Sequence, residues 1–353
     1  MSVNTRVIKV AAAQVSPVYL DRDASVEKAI EYIGMAARSG VELIAFGEAW
    51  LPGYPWWIYL MSPIRGGEFA MRLYDNAVEF PSQTIERLCQ AARDHRITVV
   101  MGLTEIDRGS LYLAQVFIGP DGRILGHRRK LKPTHNERAV WGEGDGSDII
   151  VVESALGKLG ALNCWEHLQP LTRFAMNHLN EQIHVSAWPG FSLYTGLVHS
   201  FSAEANLAAS RSYALETQTF VIHVGPHTDA ETVRMLTAGD AHAAALLRVG
   251  GGYSEIIDPH GKTIAGPLEP DSEGLVIGDC DMSQIAMARM ANDPAGHYSR
   301  GDATQLVLNR TPRRAVVYRD ADPVVGNGGE QAAPASSAVA GVDRLADRQD
   351  TSL

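Results

Sequence analysis

Cys164 stands in the segment Gly160-Ala161-Leu162-Asn163-Cys164-Trp165-Glu166-His167, where a strand of small residues ends and a helix is about to begin. Such an elbow presents a side chain at the sheet edge and aims backbone N–H groups at it, which favours a thiolate. A nucleophile and a buried structural thiol are both readings of that position. Cys89, between Leu88 and Ala92 on an apolar helix face, reads as core. Cys280 is flanked by Asp279 and Asp281, whose like charge disfavours a thiolate. Glu48, in Phe46-Gly47-Glu48-Ala49-Trp50, falls at the C-terminal end of a buried strand, where open α/β sheets gather ligands. It is a general base or a salt-bridged sheet-end residue. The run Arg128-Arg129-Lys130-Leu131-Lys132-Pro133 reads as a solvated strand end, or as one that points the Lys130 ammonium into the same cleft. Glu137, seven residues on, reaches that cleft if the chain turns at Pro133 and is otherwise an exposed loop carboxylate. His167 and His184 lie close enough to Cys164 in sequence for a Cys–His pair, or are ordinary hydrogen-bonded histidines. No H-E-x-x-H run or paired cysteines suggest a metal, and Gly142-Glu143-Gly144-Asp145-Gly146 lacks the residues of a phosphate loop.

The elements that must position these groups alternate between strands and amphipathic helices. Val7 to Gln14 reads as a buried strand, and Asp23 opens a helix with Val26, Ile30, Ile33 and Ala37 on one face, stopped by Gly40. Leu43 to Phe46 is a strand. Ser82 caps a helix whose inner face carries Ile85, Leu88, Cys89 and Ala92, and Thr98 to Glu105 is again a strand. Tyr112 to Ile118 and Arg123 to Arg129 flank the turn Gly119-Pro120-Asp121-Gly122, a hairpin signal repeated by Ile149 to Glu153 and Lys158 to Leu162 around Gly157. A helix over Leu168 to Asn180 precedes the strand Ile183 to Ala187. A helix over Ser202 to Glu216 precedes the strand Phe220 to Val224. Strands at Ser254 to Ile257 and Leu275 to Ile277 close the set. Hairpins mixed with strand–helix units imply a layered α/β fold with mixed sheets.

The 353 residues, 45% hydrophobic and 20% charged, suffice for one large domain. Acidic residues outnumber basic ones, 41 to 31, which argues against nucleic acid as a partner. No stretch of about 18 apolar residues would cross a membrane. Arg6 and Lys9 interrupt the place of a signal peptide's apolar core, and three cysteines are too few and odd for a disulfide framework, so a reducing, cytoplasmic setting is expected. From Gly326 onward Gly, Ala, Ser and short charged residues leave no apolar period, so a catalytic domain over residues 1–325 and a disordered tail over 326–353 are expected.

Four segments in order resemble the nitrilase superfamily, and specifically its nitrile-hydrolysing branch, with the likeness running from about Val7 to Arg310. They are Gly47-Glu48-Ala49-Trp50-Leu51-Pro52-Gly53-Tyr54-Pro55, Arg129-Lys130-Leu131-Lys132-Pro133-Thr134, Asn163-Cys164-Trp165-Glu166-His167 and Asp293-Pro294-Ala295-Gly296-His297-Tyr298-Ser299-Arg300. Gly47 departs from the family, which more often has Pro there. The resemblance implies an αββα sandwich and a catalytic set of Glu48, Lys130 and Cys164, assisted by Glu137, with no cofactor and no metal. It implies hydrolysis of an organic nitrile to acid and ammonia through a thioimidate and a thioester. It also implies a homo-oligomer of dimers that can extend into a spiral. An amidase, a cyanide-degrading enzyme or a non-catalytic scaffold on the same fold are the competing readings. The indoles Trp56, Trp57, Trp141, Trp165 and Trp188 lie in or near these segments. Tyr54, Trp57, Trp165 and Trp188 are the residues expected to contact substrate, with Trp165 limiting the pocket's size.

Overall fold

Side chains alternate sides along a strand, so a strand apolar at every position must be covered on both faces. Val7–Gln14 (β1), apolar but for Lys9 and Gln14, shows the consequence. Ile8, Val10 and Ala12 enter one apolar cluster while Ala11 and Ala13 enter another. The computed structural model describes residues 6–313, and the expected tail over 326–353, with its boundary at 325, lies outside the described residues.

The strands that follow are β2 (Leu43–Ala45), β3 (Val78–Glu79), β4 (Thr98–Asp107), β5 (Ser110–Ile118), β6 (Ile124–Arg129), β7 (Val151–Ser154), β8 (Gly157–Asn163), β9 (Ile183–Ala187), β10 (Phe220–Val224), β11 (Glu255–Ile257), β12 (Thr263–Ala265) and β13 (Gly274–Asp281). They form a seven-stranded sheet ordered β13-β1-β2-β4-β5-β6, with β3 beside β4, and a six-stranded sheet ordered β12-β11-β10-β9-β8-β7. Both sheets are mixed. β1, β2 and β4 run parallel, as do β8, β9 and β10, while hairpins extend each sheet antiparallel.

The helices are α1 (Arg22–Arg38), α2 (Trp57–Leu60), α3 (Gly67–Asp75), α4 (Gln83–His95), α5 (Pro170–His178), α6 (Ala203–Thr217), α7 (Ala230–Thr237), α8 (Ala241–Leu246) and α9 (Ser283–Ala291). α1 and α4 cover the outer face of the first sheet, where Val26, Ala29, Ile33, Ile85 and Leu88 meet Ala11, Ile44 and Val99. α5 and α6 cover the outer face of the second, where Met176, Tyr213 and Ala214 meet Leu162, Val221 and Ile257. Between the sheets Val10, Leu43, Val100 and Phe117 pack against Ala161, Val185, Ile222 and Ile256. The layers therefore run α, β, β, α, as expected.

The chain's punctuation has physical causes. Asp21, not Asp23, caps α1 by accepting from the Ala24 N–H, and Ser82 caps α4 from Ile85. The helix expected over Leu168 to Asn180 is shorter at its start. A 3-10 turn over Cys164–Leu168 intervenes, and α5 begins with Pro170 at its first position, where a missing N–H costs nothing. Cys280 lies inside β13 instead of past the last strand, so burial first, and Asp279 second, push its thiol pKa up.

Candidate active site

The parallel strands β2 and β8 come from different sheets, and the residues that leave their C-terminal ends converge. The Glu48 N–H donates to the Trp188 carbonyl at the end of β9, 2.9 Å away, which ties the two sheets together at the site. Gly47 has no room for a side chain, since a Cβ there would stand 2.6 Å from Pro226 Cδ and 2.8 Å from the Trp188 carbonyl oxygen. The departure at Gly47 thus permits a close approach of the two sheets and leaves the carboxylate in place. Ala49 and Cys164 both adopt left-handed backbone, with φ of 47° and 48°. Non-glycine residues held there cost about 1–3 kcal/mol and persist only where surrounding contacts fix them.

Lys130 leaves the end of β6 and is fully buried, which overturns the solvated reading of its basic run. Arg128 is equally buried. It forks onto Glu166 at 2.7 and 3.0 Å and donates to Gln115 at 2.7 Å. Glu166 also accepts from the Leu131 N–H at 3.0 Å and the Asn163 N–H at 2.8 Å, so one carboxylate joins the strand end carrying Lys130 to the elbow carrying Cys164. Burial alone would raise its pKa, but Arg128 and the two backbone donors hold it below the usual carboxylate range.

The Lys130 ammonium donates to Glu48 Oε1 and Glu137 Oε2, each at 2.7 Å. Glu137 is 1% exposed, not a solvated loop residue, and it also accepts from the Tyr54 hydroxyl at 2.8 Å and the Thr134 N–H at 2.7 Å. Carboxylate oxygens of Glu48 and Glu137 and the Cys164 sulfur lie within 4.8 Å of one another. Three such donors could hold a metal ion, but the Lys130 ammonium already supplies a cation bonded to both carboxylates. Burial pulls the Lys130 pKa down, yet Glu137, Glu48 and Cys164 outweigh it and keep the ammonium charged. Burial pushes Glu48 up, Lys130 opposes and Glu137 adds to it, leaving its pKa at about 8. The Cys164 thiol is pushed well above its ordinary value by burial and Glu48, partly offset by Lys130 and by the Trp165 N–H. At rest, then, the sulfur keeps its proton, and the neighbouring Glu48 carboxyl can take it only in the fraction of sites where Glu48 is ionised, a fraction that grows as pH approaches 8.

Cys164 and Glu137 open onto a cleft of about 480 Å³, its mouth included, walled by Tyr54, Trp56, Tyr59, Trp165, Trp188, Phe191 and Phe201. Glu48 borders a smaller cavity of about 310 Å³ on its other side, with Tyr54, Trp56 and Pro189 common to both. Trp188 is fixed by donating its indole N–H to Ser186 at 2.8 Å, and Trp165 by donating to Asn206 at 2.9 Å. Trp57 is not among the lining residues. It stacks on Phe69 at 5.8 Å within the apolar cluster that also holds Tyr54, Trp56 and Trp141, and its neighbour Trp56 takes the expected place in the cleft wall. Three of the four resembling segments meet here. The fourth follows α9, and its Pro294 and Tyr298 border a groove with Pro170, Phe174 and Asn177 of α5. His167 and His184 belong to a buried hydrogen-bonded chain and do not pair with the sulfur. Sequence reasoning passed over Asn206, Phe191 and Phe201, which lie in loops and on a helix face with no chemical signature.

A sequence profile described as Carbon-nitrogen hydrolase matches residues 9–290. The chain is 47% identical over 307 residues to an aliphatic nitrilase of Rhodococcus rhodochrous, covering 87% of this chain and 84% of that one. It is 45% identical over 304 residues to an arylacetone-specific nitrilase of Alcaligenes faecalis, covering 86% and 85%. Among solved structures it is similar to Saccharomyces cerevisiae Nit3, of branch 10 of the nitrilase superfamily, with a TM-score of 0.66 at 20% identity over 84% of this chain and 98% of that one. Fold, motif order and these identities agree: the chain belongs to the carbon-nitrogen hydrolase family and, within the nitrilase superfamily, to its nitrile-hydrolysing branch.

Proposed function

We propose that the chain hydrolyses an organic nitrile to a carboxylic acid and ammonia, with Cys164 as nucleophile, Glu48 as general base and acid, Lys130 as electrostatic stabiliser and Glu137 as assistant. The observation that carries this reading is the Lys130 ammonium bonded to both carboxylates beside the Cys164 sulfur. Glu48 takes the thiol proton as sulfur attacks the nitrile carbon, and that proton passes to the nitrogen, giving a thioimidate. Glu48 then removes a proton from water, which adds to the same carbon, and the tetrahedral adduct expels ammonia after its nitrogen is protonated. A second water cleaves the resulting acyl thioester and restores the thiol. Lys130 faces the negative charge that develops at each addition, and because its ammonium is fully buried this fixed cation acts strongly.

The cleft's aromatic walls suit an aryl or arylalkyl nitrile. Trp165 stands next to the nucleophile and tilts against Phe201 at 5.5 Å, so it sets the depth available beyond the reacting carbon. Trp165→Ala is expected to raise the rate on bulky nitriles relative to small ones by about tenfold or more, the scale of at least one methylene of pocket contact. Equal relative rates for both classes would remove Trp165 from the specificity argument.

A homo-oligomer built from dimers and extending into a spiral completes this reading, and Leu171 of α5 and Leu215 of α6, exposed on the outer helices, are where an apolar subunit contact could fall. Three free cysteines and the lack, among the described residues, of a helix long and apolar enough to cross a membrane support a cytoplasmic setting.

The deciding experiment measures ammonia, acid and amide from phenylacetonitrile, benzonitrile and a short aliphatic dinitrile, beside the matching amides, cyanide and a Cys164→Ala control. Acid and ammonia in equal amounts, absent from the control, are expected. Turnover of amides or cyanide with none of nitriles would overturn the reading.

A further inference from the structure

Behind the nucleophile, between the second sheet and its covering helices, four fully buried polar side chains form one hydrogen-bonded line. His167 Nδ1 lies 2.7 Å from the Cys164 carbonyl oxygen, and its Nε2 lies 2.9 Å from His184 Nε2. His184 Nδ1 lies 2.7 Å from Glu181 Oε1, and the Tyr213 hydroxyl of α6 donates to Glu181 Oε2 at 2.6 Å. None of the four lines the cleft. Room for the Glu181 carboxyl is made on β8, where a Cβ at Gly160 would stand 1.9 Å from Oε1.

The line can be read by counting protons. A carbonyl only accepts, so His167 Nδ1 carries hydrogen. One of the two facing Nε2 atoms carries hydrogen and the other does not. Three arrangements satisfy every contact with the same number of protons: a neutral line in which Glu181 is protonated and donates to His184, or a Glu181 carboxylate with an imidazolium at His184 or at His167. Separated charges are costly in a dry interior. Arg128, Glu166 and Arg173 are the charged groups acting on the two rings, His223 interacts with His167, and the Arg128 charge disfavours a second positive charge at His184. Burial pushes both imidazoles well down and Glu181 up to about 8, as the neutral line requires.

A peptide unit is planar, so fixing its carbonyl also fixes the direction of its N–H. The Cys164 carbonyl and the Trp165 N–H share one such plane, and that N–H acts on the Cys164 thiol in the direction that lowers its pKa. We propose that the neutral line Tyr213–Glu181–His184–His167 is a positioning device for the proposed nucleophile: it holds the Cys164–Trp165 peptide plane so that the Trp165 N–H faces the sulfur, and it keeps Cys164 in its left-handed backbone. These four are positioning residues for the same site and rest on the proposed role of Cys164. Among the groups acting on the sulfur, Glu48 and Glu137 oppose a thiolate while Lys130 and the Trp165 N–H favour one, so the N–H is the elbow's own contribution to stabilising it.

The test compares wild type with Glu181→Gln, Glu181→Leu and His167→Phe, all full length and all checked for folding by thermal melting. The rate of Cys164 alkylation by iodoacetamide, read at that peptide by mass spectrometry, is followed against pH beside kcat and KM on a nitrile. Glutamine donates to His184 and accepts from Tyr213 as a protonated Glu181 does, so Glu181→Gln should match wild type in both readouts. His167→Phe keeps a ring against Trp188 but cannot donate. It and Glu181→Leu should require higher pH for alkylation and lose about tenfold or more in kcat, with KM changed little, the scale of one misdirected backbone donor. Alkylation profiles of both variants that superimpose on wild type would overturn the proposal, and so would a Glu181→Gln variant as impaired as Glu181→Leu. Either disabled variant decides the matter if the other does not fold. Alkylation needs no nitrile, so a chain without nitrile turnover would defeat the proposed function and still leave this question answered.

Discussion

Replacing Lys130 by methionine should leave less than about one part in 10⁴ of nitrile turnover and lower stability by about 3–5 kcal/mol at neutral pH. Methionine keeps much of the apolar stem, so the change isolates the charge. In the native site that charge is bonded to two buried carboxylates at 2.7 Å each. Without it Glu48 and Glu137 face each other and the thiol with no cation between them, and removing one partner of a buried pair strands the other. The fold's response is to bind protons, since Lys130 is what holds the Glu48 pKa down against burial. The stability deficit should therefore shrink as pH falls and both carboxyls become neutral. Turnover should not recover with it, because a protonated Glu48 cannot accept the thiol proton and no cation faces the developing charge. Thermal melts at pH 5 and pH 8, beside ammonia release, separate the two effects. Activity within about tenfold of wild type at any pH would remove Lys130 from the mechanism.

Local chemistry made most of the frame legible. β1, β9 and β10 fall on the residues expected of them, because short runs rich in β-branched and small apolar residues, bounded by turn residues, read as buried strands even with a Lys, His or Ser among them. Ser82 and Ser202 cap α4 and α6 as capping chemistry predicts. Short elements escaped notice. β3 is two residues long and β12 three, and α7 and α8 follow one another in a segment where no single period dominates. Burial of charge was the larger gap. Arg128, Lys130 and Glu137 look like ordinary surface residues, since what encloses them arrives from β8, α2 and the turn after β2, far off in sequence. Glu181, between an Asn and a Gln at the mouth of β9, looks still more like a turn residue, and only the closing of α6 over the sheet makes it a buried carboxyl. Position alone leaves Cys164 undecided for the same reason, and the ordered likeness of four segments is what favours nucleophile over core thiol. Adjacent indoles defeat such reasoning entirely. Trp56 and Trp57 are chemically identical, and a small rotation of the chain at α2 decides which one meets the cleft.

The second large effect is on pH dependence, and its sign follows from which charges act on Glu48. Burial raises that carboxyl most, Lys130 lowers it, and Glu137 raises it further, to about 8 from an ordinary value of 4.5. A general base works only when deprotonated, so at pH 7 about one tenth of the sites are ready and kcat/KM should climb as pH rises through about 8. Glu137→Gln removes one negative charge while leaving an amide oxygen to accept from Tyr54 or Thr134. With less repulsion Glu48 ionises more easily, and the acid limb should move down by about one to two pH units. If Glu137 also assists the reaction, the plateau should fall by about 10²-fold at the same time. A lower plateau whose limb is displaced towards acid is a combination that general damage to the fold would not produce. Stability offers an independent check. A carboxyl whose folded pKa exceeds its unfolded one makes its full contribution below about pH 4.5 and loses it as pH rises towards 8, because the native state there binds more protons than the unfolded chain. Lowering the Glu48 pKa narrows that window, so Glu137→Gln should lose less stability than wild type between pH 5 and pH 8. A limb that stays in place, or moves to higher pH, would mean that Glu48 does not feel the charge of Glu137, and the two carboxylates would then have to be assigned separate, uncoupled roles.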